Sequence, residues 1–174
     1  MLGSSNGTGA VNGQPPPWRP RVFVSYAWDS PSHKDAVCRL CRLLMESAVD
    51  VHLDQFAGAR RRDWARWAIG QIEAADYVLV VSSPTYKREA EGDASPAGRR
   101  GVRFEAAVLR EKLYSDVSAW LPKILPVVLP GGQVDDIPIF LQPRTASHFV
   151  IDELTPSGIA ELLAFLYYQP YYQP

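Results

Sequence analysis

Apolar residues fall along this chain in short unbroken runs, separated by longer stretches where they recur every third or fourth position. Unbroken runs suit strands buried on both faces, and the longer period suits amphipathic helices, so the alternation predicts a parallel sheet covered by helices. The runs at 22–25, 51–53, 77–81, 124–129 and 148–151 give five strands. The run at 77–81 is apolar throughout and is expected to be central. Pro130, Gly131 and Gly132 stop the fourth strand.

Between the first two strands, Asp29 or Ser30 caps a helix with Pro31 in its first turn, and Val37, Leu40, Cys41 and Leu44 recur at core-facing spacing. A second helix is predicted over 63–74, with Trp64, Trp67, Ala68, Gln71 and Ile72 on its apolar side. A third begins near 102, with Phe104, Val108 and Leu109 as inward positions. The last, over 157–166, lines up Ile159, Leu162, Leu163 and Leu166. Residues 87–100 are polar, with Gly, Ser and Pro, and are expected to form a mobile insertion. Right-handed crossovers then give an α/β, flavodoxin-like three-layer fold with a five-stranded parallel sheet.

The ends are different in character. Residues 1–20 are rich in Gly, Ser, Asn and Pro and are expected to be a disordered tail or linker. Tyr-Tyr-Gln-Pro occurs twice in 167–174, read as a C-terminal tail, which leaves 21–166 as one domain. A chain of 174 residues, 47% hydrophobic and 21% charged, fits that single domain. Its 18 basic and 19 acidic residues leave a net charge of -1, which disfavours nucleic acid or anionic membrane as a partner. No apolar run is long enough to span a bilayer and no signal peptide is evident, so a cytoplasmic location is expected.

Conventional chemistry is absent from the motifs. There is no Gly-x-Gly-x-x-Gly, no phosphate-cradling Walker loop and no Gly-x-Ser-x-Gly elbow. His33, His52 and His148 lack metal-ligand spacing, so no metal is expected. A response-regulator reading wants clustered acids after strand one, where only Asp29 stands. Cys38 and Cys41 form a Cys-x-x-Cys, but they sit mid-helix among Val37, Leu40 and Leu44 and read as buried, reduced thiols.

The strand-one exit is the richest segment: Arg21-Val-Phe-Val-Ser-Tyr-Ala-Trp-Asp-Ser-Pro-Ser-His-Lys. With Val51-His-Leu-Asp-Gln-Phe, Ala75-Asp-Tyr-Val-Leu-Val-Val-Ser-Ser-Pro-Thr-Tyr and Gly101-Val-Arg-Phe-Glu following in order, it resembles the Toll/interleukin-1 receptor (TIR) domains, and more closely their SEFIR relatives. The resemblance implies two functions. In enzymatically active TIR domains a glutamate at the position of Glu105 cleaves NAD+ between nicotinamide and ribose, with NAD+ as substrate and no cofactor. In animal receptor signalling SEFIR domains are homotypic interaction modules.

On the first reading Glu105 is the catalytic residue, and the substrate meets Ser25, Tyr26, Ala27, Trp28, Asp29, Ser83, Tyr86 and Arg103. Tyr26, Trp28 and Tyr86 offer faces for stacking, and Arg103 and the run 60–62 offer charge for the pyrophosphate. A loop containing Asp54, Gln55, Phe56, Gly58, Arg61 and Trp64 then completes a neighbour's site on self-association, with a sensor domain or partner protein as trigger. Gly-, Pro- and Arg-rich usage looks bacterial, which suggests antiphage defence by NAD+ depletion.

Simpler roles stand beside these. Trp28 and Tyr86 could cover the sheet edge, the arginine run could be a solvated helix entrance, and Glu105 could offset the positive end of its own helix, worth about 0.3–1 kcal/mol. Many active TIR domains carry a tryptophan four residues before the glutamate. Here that position is Gly101, with Phe104 adjacent to the glutamate, so the pocket wall must be built differently.

Overall fold

The computed structural model describes residues 18–58, 61–93 and 100–168. Five parallel strands form one sheet: β1 (Arg21–Ser25), β2 (Asp50–His52), β3 (Tyr77–Ser82), β4 (Ile124–Val128) and β5 (Phe149–Val150), in the order β2-β1-β3-β4-β5. The direction of winding reverses between β1 and β3, where Phe23 pairs with Val78 and Ser25 with Val80. In doubly wound sheets that reversal opens a crevice beyond the strand carboxyl ends. The flavodoxin-like expectation holds.

One face is covered by α1 (Pro31–Glu46) and α6 (Ala160–Tyr167), the other by α2 (Trp64–Ala74), α3 (Pro84–Glu91) and α4 (Arg100–Ser115). A short α5 (Val117–Trp120) follows α4. Alternate residues of each strand feed the two cores: Val22, Val24, Leu79 and Val81 go to the first, and Phe23, Val78 and Val80 to the second. Helix α1 starts because the Ser30 hydroxyl accepts the His33 amide at 3.1 Å, with Pro31 at its first position. It then buries Val37, Leu40, Cys41 and Leu44, and truncating Leu40 to alanine would cost about 2–5 kcal/mol.

The stretch 87–100 corrects in part the expectation of a mobile insertion. Its first part is helix α3, capped by Ser83 and ended by Gly92 in the left-handed region at φ 82°. Composition hid it, since Lys87, Arg88, Glu89 and Glu91 mask an inward stripe of Tyr86 and Ala90, and the buried Glu89 is neutralised by Arg103 across the α3–α4 contact. Residues 94–99 of that stretch lie outside the described residues, as do most of the two tails. Where the ends are described they meet: the Trp18 and Tyr167 rings lie edge to face with centroids 6.4 Å apart. Among the described residues no helix is long and apolar enough to cross a membrane.

The cysteines are reduced, as expected, but only one of them is buried. Cys41 is fully buried, and burial pushes its thiol up to about 12, whereas Cys38 is half-buried and its Sγ lies 3.1 Å from Gln55 Oε1. Both are free thiols.

Candidate active site

Strand β1 carries Ser25 to the carboxyl edge of the sheet, where its side chain is wholly buried. Helix α4 crosses above it and delivers Glu105, so that Ser25 Oγ donates to Glu105 Oε2 at 2.5 Å. The phenol of Tyr86, from α3, meets Ser25 Oγ from the other side at 2.9 Å. Helix α4 begins at Arg100, which puts Glu105 in its second turn. That is too far in for the carboxylate to serve mainly as an offset to the helix end, because the dipole effect fades within one turn.

Glu105 forms part of the wall of a cleft of about 640 Å³. Trp28 comes from the β1 exit, Asp54 and Gln55 from the turn after β2, Trp64 and Trp67 from α2, and Gly101 and Phe104 from the helix of Glu105. The walls are therefore largely aromatic, and acidic groups stand within them. Burial is the main cause that lifts the Glu105 carboxyl from 4.5 to about 7; the Ser25 hydrogen bond opposes the rise and the charge of Asp54 adds to it. Near neutral pH this carboxyl is divided between its two forms.

A second network fixes the rim. The Tyr26 hydroxyl accepts from Trp28 Nε1 at 2.8 Å and from Gln55 Nε2 at 2.5 Å. Burial, with Asp54 nearby, raises the Tyr26 phenol far above its ordinary value, so it stays neutral. Lys34 Nζ sits 3.7 Å above the Trp28 ring, which orients the indole from outside. The guanidinium of Arg62 lies over both Trp64 and Trp67, 5.1 and 5.8 Å from their centroids. The two indoles pack edge to face at 5.5 Å.

Of the residues singled out in the sequence, Ser25, Tyr26, Trp28, Asp54, Gln55, Trp64 and Glu105 come together at this cleft or directly behind it. Others lie elsewhere. Ala27 is fully buried. Asp29 and Ser83 bond to each other at 2.7 Å, and Asp29 also accepts the Thr85 amide at 3.1 Å, which ties the exits of β1 and β3. Tyr86 has no exposed surface, so its ring offers no face to a ligand. Arg103 directs Nε to Glu89 at 2.5 Å and is not part of the cleft wall.

In the loop after β2, Phe56 and Arg61 are exposed, Gly58 takes a left-handed turn at φ 74°, and residue 60 lies outside the described residues. Sequence reasoning missed Trp67 and Phe104 as wall residues. Their three- and four-residue spacing read as core, yet both side chains border the gap between α2 and α4. Gly101 contributes by absence: a Cβ placed there meets nothing within 4 Å, and the indoles of α2 border the space that a larger residue would fill.

The SEFIR domain family model matches residues 20–159. This chain belongs to the SEFIR family. The crystal structure of a prokaryotic SEFIR domain is similar to it, with 26% sequence identity and a TM-score of 0.65 over 89% of this chain and 97% of the other. Among curated proteins none matches. SEFIR and TIR domains form one superfamily, some members of which are NADases; its domains need no cofactor, and SEFIR domains act through homotypic domain interactions.

Proposed function

We propose that this SEFIR domain cleaves NAD+ at the bond between nicotinamide and ribose, and that self-association activates it. The observation that carries the reading is the placement of Glu105, a desolvated carboxylate held by Ser25 in an aromatic-walled cleft large enough for a nicotinamide riboside moiety. Pockets of roughly 300–1,000 Å³ with few convergent polar groups are typical of small-molecule sites.

The chemistry asks little of the protein. As the ribose C1′–N bond breaks, its electron pair passes to the pyridinium nitrogen, and nicotinamide leaves neutral without a general acid. Positive charge builds on the ribose, and ionised Glu105 stabilises it. Water then bonds to C1′ and gives up a proton, for net conversion of NAD+ and water to ADP-ribose, nicotinamide and a proton. One carboxylate suffices, in contrast to glycosidases that must protonate a poor leaving group. Opposite charges about 4 Å apart at an effective dielectric near 20 attract by about 4 kcal/mol. Realised only in the transition state, that gives roughly a thousandfold in rate, which suits a slow hydrolase.

Trp64 and Phe104 supply stacking faces for the nicotinamide where the family pattern has a tryptophan at position 101. Trp28, 40% exposed, and Trp64, 49% exposed, also stand at the mouth, where a neighbouring subunit's loop would narrow it. A bacterial cell would use such an activity to deplete NAD+ during phage infection. The test is free nicotinamide release across a series of protein concentrations. Specific activity that rises with concentration supports the reading, and activity constant per molecule in dilute monomer contradicts activation by association.

The same exposed rim favours a second reading, a homotypic adaptor with no catalysis. Phe56, Trp28 and Trp64 are large apolar groups in and beside the β2–α2 loop, a composition suited to interface anchors. Assembly without nicotinamide release would select it.

A further inference from the structure

We propose that Tyr86 is a positioning residue which, through the hydroxyl of Ser25, favours the ionised form of Glu105 and holds it in one orientation. The inference rests on the reading of Glu105 as the carboxylate that meets substrate, and it adds a residue remote from the cleft. Tyr86 is fully buried in the core on the α2–α4 face of the sheet, and its hydroxyl has one hydrogen-bond partner among the described residues, Ser25 Oγ at 2.9 Å. Ser25 is also fully buried and reaches Glu105 Oε2 at 2.5 Å.

Proton counting gives this chain a direction. A serine hydroxyl has one proton to donate, and an ionised carboxylate can only accept. With Glu105 ionised, Ser25 donates to Glu105 and Tyr86 donates to Ser25, so every proton has an acceptor. With Glu105 protonated and donating, Ser25 must turn to Tyr86, whose own buried proton then has nowhere to go; with the proton on Oε1, Ser25 still donates to Oε2, but to a neutral oxygen that accepts more weakly than a carboxylate. An unsatisfied buried donor costs about 1–3 kcal/mol. The chain therefore opposes the desolvation that favours the neutral acid, and donation by Tyr86 polarises the Ser25 hydroxyl toward the carboxylate.

Other charges around Glu105 do not substitute for it. From the turn after β2, Asp54 is acidic and works in the opposite sense, with the neutral Tyr26 phenol beside it. From α2 the facing side chains are the indoles of Trp64 and Trp67. On α3 and on its own helix, Glu89 and Arg103 are paired with each other. Among the described residues, Ser25 and Tyr86 are placed to favour the ionised state.

The decisive variant is Tyr86→Phe, which keeps the buried ring and deletes the donor; Ser25→Ala breaks the chain at its middle and serves if the first variant fails to fold. Two readouts are followed: the carbon-13 carboxyl titration of Glu105, assigned with Glu105→Gln, and the acid limb of kcat/KM for NAD+ cleavage. Either variant is expected to raise both midpoints by about half a unit to one unit, the equivalent of one hydrogen bond. Unchanged midpoints in a folded variant would overturn the proposal. If the wild type releases no nicotinamide, the glycohydrolase reading fails, and the carboxyl titration alone still decides whether Tyr86 controls Glu105.

Discussion

The hydroxyl of Ser25 and the carboxylate of Glu105, eighty positions apart in sequence, lie 2.5 Å from each other at the carboxyl edge of the sheet. The bond joins the last residue of β1 to the second turn of α4, so the strand also sets the position of the carboxylate assigned the chemistry above. A group so placed makes activity pH-dependent. With the carboxyl lifted to about 7, kcat/KM is expected to rise through about pH 7 as the ionised fraction grows. The pyridinium of bound NAD+ favours that ionised form, so the acid limb of kcat is expected at lower pH than that of kcat/KM. Parallel pH profiles of the two constants check this, and coincident limbs would count against direct contact between Glu105 and the cation.

Stability should show the opposite trend. A carboxyl raised by folding favours the native state fully below the unfolded value near 4.5, and the contribution is lost as pH rises through about 7. At pH 8 the neutral Glu105→Gln is expected to be more stable than the wild type by up to roughly 3 kcal/mol, with little difference at pH 4. Urea unfolding at both pH values measures it. No gain at pH 8 would mean that Glu105 is well solvated.

Trp64 carries a prediction about binding. Trp64→Ala removes a wall of the cleft and the contact with Arg62, but leaves Ser25, Tyr86 and Glu105 in place. It is expected to raise KM for NAD+ by about tenfold, the equivalent of one stacking contact, with a smaller effect on kcat. Steady-state kinetics of nicotinamide release separate the two constants, and an unchanged KM would place the nicotinamide elsewhere.

Asp29 is expected to act on the scaffold. It accepts Ser83 Oγ and the Thr85 amide, so Asp29→Ala leaves the start of α3 without these ties and should cost about 1–3 kcal/mol. Thermal unfolding detects the loss. Stability equal to the wild type would show that these two bonds are dispensable.

The sequence shows most of the sheet because strand boundaries there follow from apolar runs that only a doubly covered sheet can bury. It also shows that Ser25, Trp28 and Glu105 converge, since two strand exits and a helix start must meet at one edge. What it hides depends on partners at long range. Helix α3 is obscured because the buried Glu89 is paired with Arg103, fourteen positions later. Tyr86 looks like a stacking face when read as a strand-exit aromatic, yet the capped turn at Ser83 rotates it into the core and leaves only its hydroxyl aimed at the site. Trp67 and Phe104 share the periodicity of core residues, and no local signal marks the gap between α2 and α4.

The central claim is tested most directly by incubating concentrated protein, with assembly verified by light scattering, with NAD+ and measuring free nicotinamide for the wild type and for Glu105→Ala. Release by the wild type, and a loss of about a thousandfold or more in a variant that still assembles, is the expected result. Assembly of both proteins with no release by either, or equal release by both, would contradict the account.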